Sequence, residues 1–335
     1  MLNIGLIGCG RIGALHARVI AAHPQARLTV VCDVHAPSAA AIAAQTGARV
    51  TQDAQAVFDA PDVDAVLVAS LTETHADYIE AAVAAGRAVL CEKPIDLNLA
   101  RVRRCEAAIA GSTVPVQIGF NRRFDPGHAS LRAGVLAGEV GDTLQIIITS
   151  RDPAPPPLTY LARAGGMIRD MTIHDFDLAR FLLAGDEVST VHAVAGALID
   201  ADIARDPGDV DCAMVLMTTE RGRQVFINNA RQASYGYDQR LEVLGTAGML
   251  QSGNRRAHEV LRFDGTSTNG GAPYLNFFTD RYDEAFRRQF DSFVSSVTSG
   301  TAPVVGFDDG MQALRLAEAA YAALARGGPV AVADI

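Results

Sequence analysis

The stretch Leu2-Asn3-Ile4-Gly5-Leu6-Ile7-Gly8-Cys9-Gly10-Arg11-Ile12-Gly13 decides how the rest of the chain is read. A short apolar run, the mark of a buried strand, ends in Gly8-x-Gly10-x-x-Gly13, and a helix-compatible segment from Ala14 to Ala22 follows directly. Each glycine has a separate task in a dinucleotide site: Gly8 permits a tight turn, Gly10 lets the backbone approach a pyrophosphate, and Gly13 lets the helix pack close to the strand. The amides that open the helix, from Gly10 through Arg11, Ile12 and Gly13, turn the positive end of its dipole toward the anion.

A second apolar run, Leu28 to Cys32, ends at Asp33, twenty residues beyond Gly13. A carboxylate there accepts the ribose hydroxyls of a dinucleotide; the plainer alternative is a strand-end Asp that caps the next helix. Asp33 repels a 2′-phosphate, and Val34 offers no cation to hold one, so the pair favours NAD over NADP.

Outward from this loop, residues 1–120 alternate apolar runs with helical stretches, which predicts a doubly wound parallel α/β sheet, the Rossmann arrangement, with strands at 2–7, 28–32, 64–69, 87–91 and 115–119. Ligands of such a sheet bind beyond the strand C-termini. Ser70, Thr72 and His75 follow the third of these strands, where Thr72 can cap the next helix and His75 faces either cofactor or solvent. Glu92-Lys93-Pro94 follow the fourth. Pro94 stops the strand and fixes Lys93, which can bind a substrate hydroxyl, touch the nicotinamide ribose or assist proton transfer, with Glu92 as its partner.

A second domain, 121–335, has a different pattern: an Asp125-Pro126 helix start, then strands near 143–150, 190–198, 210–219, 223–230 and 238–244, and two helices at 277–298 and 308–326. This predicts an α+β domain on a large, mostly antiparallel open sheet. Pro153-Ala154-Pro155-Pro156-Pro157 reads as a stiff loop, a rim, hinge or strut, continuing through 158–164 to Gly165-Gly166. The helix after the paired glycines carries Asp170, His174 and Asp177 at i, i+4 and i+7, which places them on one face. A carboxylate one turn before a histidine orients the imidazole for proton abstraction. A metal reading lacks further His or Cys nearby, so no metal is expected.

With 49% apolar and 20% charged residues, the composition is that of a globular protein, and a net charge of −9 argues against nucleic acid. No apolar run reaches the roughly 18 residues of a membrane span. The five cysteines, an odd number without metal-site spacing, read as small buried side chains in a cytoplasmic protein.

The combination of Gly8-x-Gly10-x-x-Gly13, Glu92-Lys93-Pro94, Gly165-Gly166 and Asp170-x-x-x-His174-x-x-Asp177 resembles the Gfo/Idh/MocA oxidoreductases over almost the whole chain. Phe120 to Pro126, Ser150-Arg151-Asp152-Pro153 and Tyr237-Asp238-Gln239-Arg240 are most similar to the branch that oxidises myo-inositol. The resemblance implies an NAD-dependent oxidation of a cyclic polyol, with His174 as base, Asp170 orienting it and Lys93 on the reacting oxygen. Arg123, Asp152, Asp177 and Tyr282 are the candidates for the other hydroxyls. It also implies a homotetramer, a dimer of dimers, paired through the second sheet, whose outward face is expected to include Val215, Met217, Phe226 and Ile227. The competing readings are a dehydrogenase of scyllo-inositol or an aldose, a related imine or biliverdin reductase, and a nicotinamide sensor without turnover.

Overall fold

The computed structural model describes residues 1–205 and 208–335. The chain folds into two compact units, one of residues 1–121 with 285–314, the other of 122–284 with 315–335.

The first unit carries β1 (Leu2–Ile7), α1 (Arg11–Ala22), β2 (Ala26–Cys32), α2 (Ala36–Thr46), β3 (Arg49–Thr51), α3 (Gln55–Phe58), β4 (Ala65–Val68), α4 (His75–Ala84), β5 (Ala88–Cys91), α5 (Leu99–Ile109) and β6 (Val116–Ile118). Its six strands are all parallel in the order β3-β2-β1-β4-β5-β6, so the order reverses beside β1. Ala65, Val66, Leu67 and Val68 are fully buried, as a strand covered on both faces requires. The chain returns to this unit late: Phe286 packs edge-on against His16, and Gln117 donates from Nε2 to the Gln289 carbonyl at 3.1 Å.

The second unit opens with α6 (Pro126–Leu136), whose cap is Asp125: its carboxylate accepts the Gly127 and His128 N–H groups at 3.1 and 3.2 Å. Then come β7 (Thr143–Arg151), α7 (Leu158–Ala164), a π-helical turn at Ile168–Thr172, α8 (Ile173–Leu183), β8 (Val188–Gly196), α9 (Ala201–Arg205), β9 (Cys212–Thr219), β10 (Gln224–Ala230), β11 (Asp238–Gly245), β12 (Met249–Ser252), and the short β13 (Leu261–Arg262) and β14 (Gly270–Gly271). The C-terminal elements are α10 (Phe278–Arg281), α11 (Asp283–Ser299), α12 (Phe307–Arg326) and β15 (Val330–Ala331). The large sheet runs β12-β11-β7-β10-β9-β8-β15 and is antiparallel except between β7 and β10.

Three expectations change here. Residues 158–164 are a helix, not a continuation of the proline loop. The single helix expected over 277–298 is interrupted at Tyr282. On the large sheet, Val215, Met217 and Ile227 point into the core, each 1% exposed or less. The open face instead presents Met214, Leu216, Val194 and Ile147, with Phe226 half-buried. Both faces of β9 are apolar, so alternation alone does not say which faces the core.

Candidate active site

The glycine loop is built for close approach. Gly8 sits at φ +92°, and a Cβ there would stand 2.4 Å from the Ala69 carbonyl oxygen. A Cβ on Gly13 would lie 1.9 Å from the Gly8 carbonyl oxygen, whereas at Gly10 it would meet nothing. The two outer glycines are therefore demanded by the protein's own packing, and the middle one leaves the backbone bare toward a ligand. No side chain caps α1, and no acidic residue lies in its first turn, where Arg11, Ile12 and Gly13 present their amides. Asp33 is fixed from both sides: Oδ2 accepts the Cys9 N–H at 2.6 Å and Oδ1 the His35 N–H at 2.7 Å. The neighbouring Val34 is 86% exposed and carries no charge. These residues fit a dinucleotide with a free ribose. Burial, with Asp33 nearby, pushes the Cys9 thiol up to about 12 and that of Cys32 to about 11, which makes neither a nucleophile.

At the ends of β4 and β5 the structure redistributes the expected roles. Thr72 starts a single 3₁₀ turn instead of capping α4; Thr74, at the cap position, makes no cap bond. Ser70 Oγ lies 2.7 Å from Thr74 Oγ1. His75 faces neither solvent nor an open pocket. It is 2% exposed, with Nδ1 2.7 Å from the Pro94 carbonyl and Nε2 3.2 Å from the Ser70 carbonyl. Burial holds its imidazole below the usual range, and in the neutral form its one N–H donates to one of these two carbonyls at a time. Glu92, expected beside Lys93, has its Oε1 2.7 Å from the buried His16 Nε2. Lys93 itself is half-buried.

In the second unit, the paired glycines anchor the segment before His174. Gly165 and Gly166 have φ of +80° and +85°. The Tyr321 hydroxyl donates to the Gly165 carbonyl at 3.1 Å, and a Cβ on Gly166 would meet that same hydroxyl at 2.4 Å. The Met167 N–H lies 2.9 Å from each Asp209 carboxylate oxygen, and Arg169 binds Glu318 through Nε and Nη2 at 2.6 and 2.8 Å. The stretch is not one regular α-helix: Asp170 lies in the π-helical turn, and α8 begins only at Ile173. Wider turns of this kind recur at functional sites because they re-aim side chains. Asp170 accepts from the Tyr160 hydroxyl at 2.9 Å and from Arg231 Nη1 at 3.2 Å, while His174 is half-buried at the start of α8. Asp177 is fully buried and gripped by Arg123, with Nε at 3.0 and 2.9 Å from its two oxygens and Nη2 at 2.6 Å.

Several members of the site were not visible in the sequence. Arg122 Nη1 donates to Asp175 at 2.8 Å and to Ser150 at 2.9 Å, and Asn229 Nδ2 donates to the other Asp175 oxygen at 2.7 Å. Tyr282, expected at the substrate, is 2% exposed, with its hydroxyl 3.3 Å from Gln239 Oε1. Asp152 keeps 24% of its side chain exposed, 3.7 Å from Arg231. Its carboxyl is raised to about 6, chiefly by burial, with Arg231 opposing and Asp170 adding to the rise. These partners come from strands and helices far apart in the chain, and no local spacing announces them. Among the described residues, no group of three or more His, Cys, Asp and Glu is placed to hold a metal, and no helix is long and apolar enough to cross a membrane.

A glycine loop of this geometry, an anchored strand-end carboxylate and a parallel sheet define a dinucleotide-binding oxidoreductase unit, joined here to a second unit rich in buried ion pairs. Residues 2–120 match the oxidoreductase family with an NAD-binding Rossmann fold, and residues 128–251 match the GFO/IDH/MocA C-terminal domain. Over 334 residues the chain is 42% identical to an inositol 2-dehydrogenase of Rhizobium meliloti (strain 1021), covering 99% of each. It is similar in structure to a myo-inositol dehydrogenase from Corynebacterium glutamicum ATCC 13032, with a TM-score of 0.95, 40% identity and 99% and 98% of the two chains covered. A scyllo-inositol dehydrogenase from Lactobacillus casei, solved with bound NAD(H) and scyllo-inositol, matches with a TM-score of 0.90 at 29% identity over 99% of both chains. The chain belongs to the GFO/IDH/MocA oxidoreductase family and is an NAD-dependent dehydrogenase.

Proposed function

We propose that this dehydrogenase oxidises a secondary ring hydroxyl of a cyclic polyol, with myo-inositol, converted to its 2-ketone, as the preferred substrate. The observation that carries the reading is the set of ionisable groups gathered where α8 begins: Asp170, held by Tyr160 and Arg231, one turn before the half-buried His174. Bound NAD supplies the hydride acceptor. His174 takes the hydroxyl proton, Asp170 orients its imidazole, and Lys93 donates to the oxygen as negative charge develops on it. Asp152, partly exposed, is the best placed of the remaining candidates to address a second hydroxyl. Arg123 and Asp177 are bound to one another, and the buried Tyr282 turns its hydroxyl to Gln239.

The test is NADH formation from myo-inositol, scyllo-inositol and D-glucose, each with NAD and with NADP. Preferred turnover of myo-inositol with NAD supports the reading; faster turnover of scyllo-inositol, the ligand of the Lactobacillus casei neighbour, keeps the chemistry and moves the substrate. NAD binding without turnover of any ring alcohol would make the protein a sensor. The open sheet face, with Val194, Met214 and Leu216 each at least half exposed, supports assembly with further copies of the chain into a dimer of dimers. Five thiols without a disulfide suit the cytoplasm.

A further inference from the structure

Arg231 stands out among the buried charges. Its side chain is 3% exposed, with Nη1 at 3.2 Å from Asp170 Oδ2 and 3.7 Å from Asp152 Oδ2. Among the described residues, no side chain or backbone group bonds its buried Nε or Nη2. A buried guanidinium set against two carboxylates acts on both through where it puts its charge. The backbone fixes that place. The Arg231 N–H donates to the Asp211 carbonyl at 2.8 Å, and the Asp152 N–H to the Ala230 carbonyl at 2.9 Å, so the register of β7 and β10 delivers both side chains to the same spot. The Asp211 carboxylate in turn accepts the Leu198, Ile199 and Asp200 N–H groups at 2.7, 2.9 and 2.8 Å, which ties down the neighbouring loop.

We propose that Arg231 is a positioning residue of the reaction: seated between Asp170 and Asp152, its guanidinium keeps the Asp170 carboxylate ionised and aimed, and so sets the lower pH limit of activity. The inference rests on Asp170 and His174 acting as described above. Among the described residues, the groups facing the pair include the Tyr160 hydroxyl and Arg231 on Asp170, and Arg231, Arg122, Asp175 and Asp170 around Asp152. Even with the guanidinium present, Asp152 titrates near 6. Without it, two like charges share a buried site, and the carboxyls take up protons at higher pH. A protonated Asp170 no longer favours the imidazolium that His174 becomes, so activity then needs a more alkaline solution.

The experiment is the pH profile of kcat at saturating polyol and NAD for wild type, Arg231→Gln, Arg231→Lys, Asp152→Asn and His174→Ala, with NAD affinity and circular dichroism checked for each. In Arg231→Gln the acidic limb should move up by about one pH unit or more, with kcat at the alkaline end within a few-fold of wild type. Arg231→Lys, which keeps the charge, should move it less than half as far, and Asp152→Asn should move it down. An unmoved limb in Arg231→Gln, or an equal displacement in Arg231→Lys, overturns the proposal. If Arg231→Gln does not fold, an unmoved limb in Asp152→Asn overturns it instead. Full activity in His174→Ala would sink the catalytic reading and the Arg231 proposal with it, whereas an unmoved limb in Arg231→Gln beside an inactive His174→Ala sinks the Arg231 proposal alone. A readout free of turnover is available too: the loss of Tm in Arg231→Gln should be larger at pH 8 than at pH 5, because protonation relieves the unpaired carboxylates. A loss that is constant across this range counts against the proposal.

Discussion

His174 and Asp33 carry the sharpest expectations for single side chains. Replacing His174 by Ala should lower kcat by about 10²–10⁴, the usual worth of a general base, while NAD affinity stays within a factor of two or so. Steady-state kinetics beside a fluorescence titration with NADH reads both quantities, and a kcat near wild type would remove His174 from the role. Asp33→Ser combined with Val34→Arg should shift kcat/KM toward NADP, since the change removes a carboxylate and adds a cation where a 2′-phosphate would sit. Unchanged NAD preference would place the adenosine elsewhere. The glycines, Asp33, Lys93 and His174 could be singled out because the argument for each uses a few neighbours in sequence. Arg231, Arg122 and Asp175 escaped because their partners lie 25 to 79 residues away, and an isolated Arg or Asp on a strand end looks like any surface charge. His75 was legible as a residue of interest, but its role was not, because the two carbonyls it joins belong to different loops.

Among the elements, β1 and α1 show how far local rules reach. Their bounds follow from an apolar run and a glycine turn, and the structure explains the third glycine by backbone contact alone. Gly13→Ala should force α1 away from the Gly8 carbonyl, at a cost of about 1–3 kcal/mol, and weaken NAD binding at least tenfold. A Tm and an NAD affinity both equal to wild type would contradict this account of the loop. The π-helical turn at Ile168–Thr172 was not legible, since a 3.6-residue period is the default for any helical stretch and nothing in the local sequence announces a wider turn. Helix α7 was hidden for a related reason: Pro153 to Pro157 before it and Gly165 after it are loop signals, and seven residues between them are too few to show a period.

At the scale of the molecule, the large sheet offers a test of assembly. Leu216 is 56% exposed on the open face, so Leu216→Glu should split the proposed dimer of dimers without disturbing the core. Light scattering coupled to size exclusion should then give a smaller particle than wild type, and an unaltered mass would move the interface elsewhere. The division into a Rossmann-type and an α+β part was readable from the change in strand pattern, and a return of the last residues to the first domain was an expectation too; that residues 285–314 return while 315–335 stay was not readable, because an amphipathic helix does not say which sheet it covers. That return bears on ancestry. The boundary between the units falls at 121–122, again at 284–285, and once more at 314–315 within the unbroken helix α12. A single recombination event cannot exchange one unit for a homologous one; three junctions are needed, one of them inside a helix. Moving one unit onto another scaffold therefore means either cutting α12 or carrying all of it.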